Sequence, residues 1–416
     1  MNLIVAILGL IPVSFAIAFF TTLAMKHIAP KIGFVDKPGH RKIHSNPKPL
    51  GGGVAIFLGF VLPVVLGLIV IHVIRPPAVS PSSGAEPSPI PAYWSGAREH
   101  TPMALGMIAA ALAMHLLGLM DDRKALGPYF KMIVQLTIIA LLVVLNGELR
   151  VLTFLGKPVS IAVTILWIGA VTNAFNFLDN MDGLSAGVAA VCTAAFLVAT
   201  LSIHQWFVAA SLALLLGSLL GFLCFNFSPA SIFMGDSGSL VIGLLLGTLT
   251  VRTTFLPPNT SWGAGWYAIF APVIVLAVPL YDLVVVSFIR LMRGKSPFVG
   301  DTNHFSHRLV ARGMSRRTAV LCLYLISAAT AVAAIILAHA PSTFVAVFVF
   351  VQTLLILGVV MLLEQHPLPV GDGGRRDAEM GRPGLAISLS LDDDRVGEKT
   401  RHQPTQQNDQ NIAGGL

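Results

Sequence analysis

The chain has 416 residues, 55% of them hydrophobic and 11% charged, with a formal net charge of +7 and a mean hydropathy of +0.79. A soluble domain carries about a quarter charged residues, so the composition excludes an ordinary water-soluble protein and predicts an all-α, polytopic protein whose first partner is the lipid bilayer. The basic excess comes with no basic helix or aromatic-interleaved patch, which argues against nucleic acid as a partner and leaves Lys and Arg as orientation signals.

A membrane-crossing helix needs about 20 mainly apolar residues. Residues 2–23 meet that length without a basic leader or cleavage site, and so predict a first span rather than a signal peptide. A basic loop follows, ending in "HRKIHSNPKPLGGG", and leads into a second span at 51–74. Residues 75–101 are Pro/Ser-rich, without periodicity, and read as a loop. Spans at 103–120 and 129–146 enclose "GLMDDRKALGPYFK"; a fifth at 159–177 runs into "NAFNFLDNMDG" and a sixth at 184–201. The seventh, 206–225, is joined by "FNFSPASIFMGDSGS" to a short eighth at 238–252. Spans at 265–289, 318–338 and 342–363 complete eleven, with "GDTNHFSHRLVARG" between the ninth and tenth. The expected organisation is a transmembrane domain over 1–366, which holds all of these polar stretches, and a polar, Gly-rich, disordered tail over 367–416. Cys192, Cys224 and Cys322 are far apart within apolar runs, suggest neither disulfide nor zinc, and read as small core hydrophobes.

Lys and Arg concentrate in the loops after spans one, three and nine, which share one side of the membrane. The positive-inside rule makes that side cytoplasmic, with the N-terminus outside, the C-terminus inside and the 75–101 loop external. All five polar clusters fall on the cytoplasmic side. Solvated turns alone would have appeared on both.

Consecutive helical residues point about 100° apart, so of Asp121 and Asp122 one at most faces a ligand squarely while the other supports it. Asn173, Asn176, Asp179 and Asp182 recur every three residues. Each step of three falls back about 60° on an α-helix, so the four converge only where the helix ends within the series. In "FMGDSGS" two glycines flank the pair Asp236 and Ser237 at a helix start, a place that suits phosphate. Carboxylates without cysteine suit a hard cation such as Mg²⁺. His304, His307 and Arg308, with the lysines, suit phosphate.

The five motifs, in this order between about residues 30 and 320, resemble those of the polyprenyl-phosphate N-acetylhexosamine-1-phosphate transferases, glycosyltransferase family 4. These are the membrane enzymes that begin peptidoglycan, teichoic-acid and O-antigen lipid-linked sugars. The resemblance implies active-site roles for Asp121, Asp122 and Lys131, with Asp121 engaging or deprotonating the lipid phosphate. It implies a nucleotide and diphosphate pocket at Asn176, Asp179 and Asp182. It makes Asp236 the metal ligand, and puts Asn226 and Phe233 near the uracil. The "HFSHRL" motif adds His304 and His307 as catalytic and Arg308 as substrate-binding, and the "PKPLGGG" loop brings Lys48 to the substrate. The muramoyl-pentapeptide branch carries three adjacent histidines, whereas Phe305 and Ser306 separate His304 from His307 here. The loop before span two resembles the GlcNAc branch.

The implied reaction is transfer of a HexNAc-1-phosphate, GlcNAc-1-phosphate first among them, from a UDP-sugar to undecaprenyl phosphate at the bacterial plasma membrane, with Mg²⁺ (or Mn²⁺) as cofactor and a homodimer allowed. Direct attack by the lipid phosphate and a two-step route through an Asp nucleophile both fit; the first is favoured. The rival inside the family is a phospho-MurNAc-pentapeptide transferase. A rival from another class is a secondary transporter with a carboxylate relay, which predicts mid-span polar groups and repeated halves.

Overall fold

A computed structural model of the chain describes residues 3–36, 47–74, 90–253, 266–296, 304–338 and 342–365. The remainder of the first basic loop, most of the 75–101 segment and the tail read as disordered lie outside the described residues.

The apolar runs become helices because a helix satisfies every backbone N–H and C=O within its own segment, as lipid demands. Helices α1 (Leu3–Leu8) and α2 (Leu10–Lys31) meet at Gly9 and form one 29-residue candidate span, so the helix continues past 23 and takes Lys26 and Lys31 into its last turns. Two-residue strands β1 (Val35–Asp36) and β2 (Lys48–Pro49) pair antiparallel, Val35 opposite Pro49, and lead into α3 (Gly52–Val73). Helix α4 (Ile90–Glu99) stands where the sequence predicted an aperiodic loop. Trp94 Nε1 and Arg98 Nε, four residues apart on one face, both donate to the Ile71 carbonyl at 2.9 Å and tie α4 to the end of α3.

Helices α5 (Thr101–Arg123), α6 (Pro128–Leu145), α7 (Lys157–Leu178), α8 (Leu184–Ser202) and α9 (Trp206–Asn226) follow. Next come α10 (Asp236–Arg252), α11 (Ala271–Val275), α12 (Ala277–Met292), α13 (Phe305–Ala311), α14 (Arg316–Ala338) and α15 (Thr343–Gln365). Among the described residues nine helices are long and apolar enough to cross a membrane, or up to ten if the bent α11–α12 pair is one span. The protein is therefore a mostly helical, polytopic membrane protein. Helix α10 has 17 residues, about 26 Å at 1.5 Å per residue, less than the roughly 30 Å hydrocarbon core. It lies at the centre of the bundle, buried from Ser237 to Thr250 and packed against α7, α5 and α3.

The ninth expected span is broken at Leu276, where the two parts meet at 72°. Pro279 has no N–H to offer the Val275 carbonyl four residues earlier. The Cys192 thiol of α8 donates to that carbonyl at 3.3 Å instead. Cys192 is thus a buried donor rather than only a small hydrophobe, and Cys224 departs further from the core expectation by lying exposed on α9.

Candidate active site

The site begins with close backbone packing. Phe233 N donates to the Pro49 carbonyl at 2.9 Å, and Gly52 N and Gly53 N donate to the Phe233 and Met234 carbonyls at 3.0 Å each. The "PKPLGGG" segment thereby lies against the loop that starts α10. A Cβ on Gly53 would stand 2.3 Å from Gly238 N, and one on Gly118 2.4 Å from Ser237 Cα. Only glycine lets α3 and α5 approach the first turn of α10 so closely.

That approach places the paired aspartates. Asp122 accepts from Asp236 N at 2.7 Å and Ser237 N at 3.1 Å, so a carboxylate from α5 caps α10. The α10 N-terminus, expected from the sequence to suit phosphate, already holds this anion; Asp236 itself is its first residue. Asp121, one residue back, points elsewhere: Oδ1 accepts from Leu126 N at 2.6 Å and Oδ2 lies 3.3 Å from Lys131 Nζ. Lys131 also reaches Asn176 Oδ1 at 3.4 Å and pairs closely with Asp236. Asn176 Nδ2 donates to Asp236 Oδ1 and Ser239 Oγ at 2.9 Å each. Four helices (α5, α6, α7 and α10) thus bring Asp121, Lys131, Asn176 and Asp236 into one partly accessible network.

Helix α7 ends within the Asn/Asp series, at Leu178, with Asp179 as its C-cap. Asn173, still helical, turns to α6 and donates to Gln135 Oε1 at 3.2 Å. Asp182 accepts from Ala230 N at 2.9 Å, and Lys48 donates to the Ala230 carbonyl at 2.7 Å. Burial, followed by the negative charges of Asp122 and Asp182, raises the Asp179 carboxyl to about 8. Asn226 is buried with both ends spent on backbone: Oδ1 accepts from Gly183 N at 3.0 Å and Nδ2 donates to the Ile232 carbonyl at 2.9 Å. It shapes the loop that carries the half-buried Phe233.

The histidine motif sits beside this turn. Ser306 Oγ donates to Asn180 Oδ1 at 2.5 Å, joining α13 to the α7–α8 connection. His304, at the N-cap of α13, is 6% exposed. Its Nδ1 lies 2.9 Å from Asp282 Oδ2, its Nε2 3.4 Å from Arg290 Nη2, and its ring meets Phe177 edge-on at 5.9 Å. His307 and Arg308 are half-buried on α13, with the His307 ring 6.4 Å from that of His304.

Three groups had escaped the sequence reading. Asp282 and Arg290 are buried on α12 and flank His304. His115, buried in α5, stacks on Phe57 at 4.6 Å and lies 2.9 Å from the Ser237 carbonyl. The available signal was a polar residue inside an otherwise apolar run, and all three show it.

Among the described residues no three His, Cys, Asp or Glu side chains gather as a metal cluster. Mg²⁺ is commonly held by one or two carboxylates together with substrate phosphates. The Asp236 side chain, 24% exposed, offers one carboxylate to such a site; its two oxygens meet the Lys131 ammonium and the Asn176 amide nitrogen, which an arriving cation would displace.

The profile of glycosyl transferase family 4 matches residues 104–254, the stretch from Asp121 to Asp236 and just beyond. A probable undecaprenyl-phosphate N-acetylglucosaminyl 1-phosphate transferase of Bacillus subtilis is 31% identical over 342 residues, covering 79% of this chain and 86% of its own length. The chain belongs to glycosyl transferase family 4. This family-4 transferase is also 33% identical to a decaprenyl-phosphate N-acetylglucosaminephosphotransferase of Mycobacterium tuberculosis, over 74% of this chain and 77% of the relative. It is 27% identical to an undecaprenyl-phosphate alpha-N-acetylglucosaminyl 1-phosphate transferase of Escherichia coli, over 75% and 80% respectively. All three relatives are named for N-acetylglucosamine rather than for a muramoyl pentapeptide.

Proposed function

We propose that this transferase moves GlcNAc-1-phosphate from UDP-GlcNAc to undecaprenyl phosphate, releasing UMP. The network of Asp121, Lys131, Asn176 and Asp236 at one end of the bundle carries the reading, and the names of the relatives supply the sugar and the lipid. An oxygen of the acceptor phosphate attacks the sugar-bearing phosphorus. The bond from that phosphorus to the bridging oxygen breaks, and its electron pair leaves on UMP.

Such chemistry asks for positioning and charge neutralisation more than covalent work. Lys131 supplies a cation between Asp121 and Asp236, placed to meet phosphate oxygens. Asp179, Asp182 and Asn176 frame the diphosphate, and His304, His307 and Arg308 close the site from α13. A phosphate monoester has its second pKa near about 6, so the acceptor is largely dianionic at neutral pH and needs little help from a base. Both oxygens of Asp121 already have partners, which favours direct attack over a covalent aspartyl intermediate. Bound at Asp236, Mg²⁺ (or Mn²⁺) would neutralise the donor diphosphate and the charge that builds on UMP.

The same reading makes 1–366 the catalytic domain, in the bacterial plasma membrane as a monomer or homodimer, with 367–416 a cytoplasmic appendage. Eleven crossings result when α10 and the bent α11–α12 pair are added to the nine candidate spans. With that count, the positive-inside rule supports a cytoplasmic site, an N-terminus outside and a C-terminus inside.

The test is UMP release by detergent-purified protein given undecaprenyl phosphate and a panel of UDP-sugars, with titration calorimetry of UDP-GlcNAc binding. Turnover with UDP-GlcNAc is expected, as is near-complete inactivity of Asp121→Asn and Asp236→Asn. Only Asp236→Asn should lose the Mg²⁺-dependent part of donor binding. Equal donor affinity in the two variants would remove Asp236 as metal ligand, and turnover of UDP-MurNAc-pentapeptide alone would replace the sugar assignment.

A further inference from the structure

Asp282 lies on α12, outside the motifs that the proposed reaction uses, and is wholly buried. Its two oxygens have distinct tasks. Oδ2 accepts from His304 Nδ1 at 2.9 Å, and Oδ1 accepts from Phe305 N at 2.7 Å, the first residue of α13. A carboxylate only accepts, so Nδ1 carries the imidazole proton, and the tautomer so selected keeps its lone pair on Nε2. Nε2 faces Arg290 Nη2 at 3.4 Å, and the Arg290 guanidinium lies over the Phe177 ring, 5.0 Å from its centre. Phe177 immediately follows Asn176, a member of the polar network. A chain of contacts therefore leads from a buried carboxylate through the histidine to the helix that carries Asn176.

We propose that Asp282 is a positioning residue for phosphosugar transfer, holding His304 in a single tautomer and ring orientation with Nε2 available to accept a hydrogen bond. The inference rests on the reading above that His304 acts at the site. Asparagine in place of Asp282 cannot do both tasks. If its amide nitrogen faces Nδ1, the imidazole proton moves to Nε2 and points an N–H at Arg290, which has no acceptor to offer. If the amide nitrogen faces Phe305 N instead, two donors oppose each other and the start of α13 loosens.

A double-mutant cycle in UMP release separates positioning from plain structural support. His304→Ala is expected to reduce kcat/KM for UDP-GlcNAc by about 10²-fold, within the usual range for a group active in proton transfer or charge stabilisation. Asp282→Asn should lose at least tenfold, in whichever of kcat and donor KM His304→Ala changes. In the His304→Ala background, Asp282→Asn should cost less than a further twofold. Wild-type activity of Asp282→Asn, or losses that multiply in the double variant, would overturn the proposal. A fully active His304→Ala would overturn it too, and would separately show that His304 had been wrongly placed in the site. Should Asp282→Asn not yield a monodisperse protein, Asp282→Glu enters the same cycle; it keeps the charge but shifts His304 by one methylene, and the same non-additivity is expected.

Discussion

Asp179 links folding stability to pH through a single side chain. Its carboxyl rises from an ordinary value of 3.8 to about 8, because burial and the neighbouring charges of Asp122 and Asp182 disfavour its anion. The folded protein therefore holds a proton that the unfolded chain releases near pH 4. Stability from this residue is fully present below about pH 4 and is lost as pH rises through about 8. In thermal unfolding of detergent-solubilised protein without added divalent cation, wild type should lose melting temperature between pH 6 and 9. Asp179→Asn, neutral throughout, should lose distinctly less. Parallel pH profiles for the two proteins would mean that the proton resides elsewhere. Cys192 shows a different limit at this scale. In the sequence it is one more small residue in an apolar run, and its service to the Val275 carbonyl follows from Pro279, far along the chain.

Among the helices, α10 does most to organise the site, through contacts that local pattern hardly reveals. Its first turn is approached by Gly53 and Gly118 and capped by Asp122. Gly118→Ala would set a Cβ 2.4 Å from Ser237 Cα, so α5 must retreat and Asp122 must loosen its hold on the two amides. Overpacking of this kind costs about 1–3 kcal/mol. The variant should melt several degrees lower and lose at least about tenfold in UMP release, while still inserting and purifying as wild type does. Unchanged activity would mean that the site does not need this close approach. The end of α7 was more legible. Steps of three residues cannot converge on a continuing helix, and α7 does stop inside the Asn/Asp series. Helix α4 was illegible because its anchor is the Ile71 carbonyl, an acceptor on another element.

For the whole molecule the sidedness of the loops is open to direct test. Ala125 is exposed in the connection between α5 and α6, and Gly147 is exposed just beyond the end of α6. In a Cys224→Ser background, Gly147→Cys should react with an impermeant maleimide on intact cells. Ala125→Cys should react only after the membrane is opened. The reverse pattern would place the site outside the cell and overturn its assignment to a cytoplasmic nucleotide.

Run length, loop charge and motif order are local properties, and by themselves they determined a helical membrane protein, most of its spans and the polar clusters proposed to carry its chemistry. They could also foresee that Asp121 and Asp122 point apart, since helical geometry fixes that angle whatever the partners. Which aspartate meets Lys131 and which caps α10 was decided only when α5, α6 and α10 packed together. The same holds for the tie from Cys192 to the Val275 carbonyl, for the spent amide of Asn226 and for the burial of His304 between Asp282 and Arg290. In each case the deciding partner is distant in sequence. A buried polar group is stable only with its partner in place, and tertiary packing alone brings the two together.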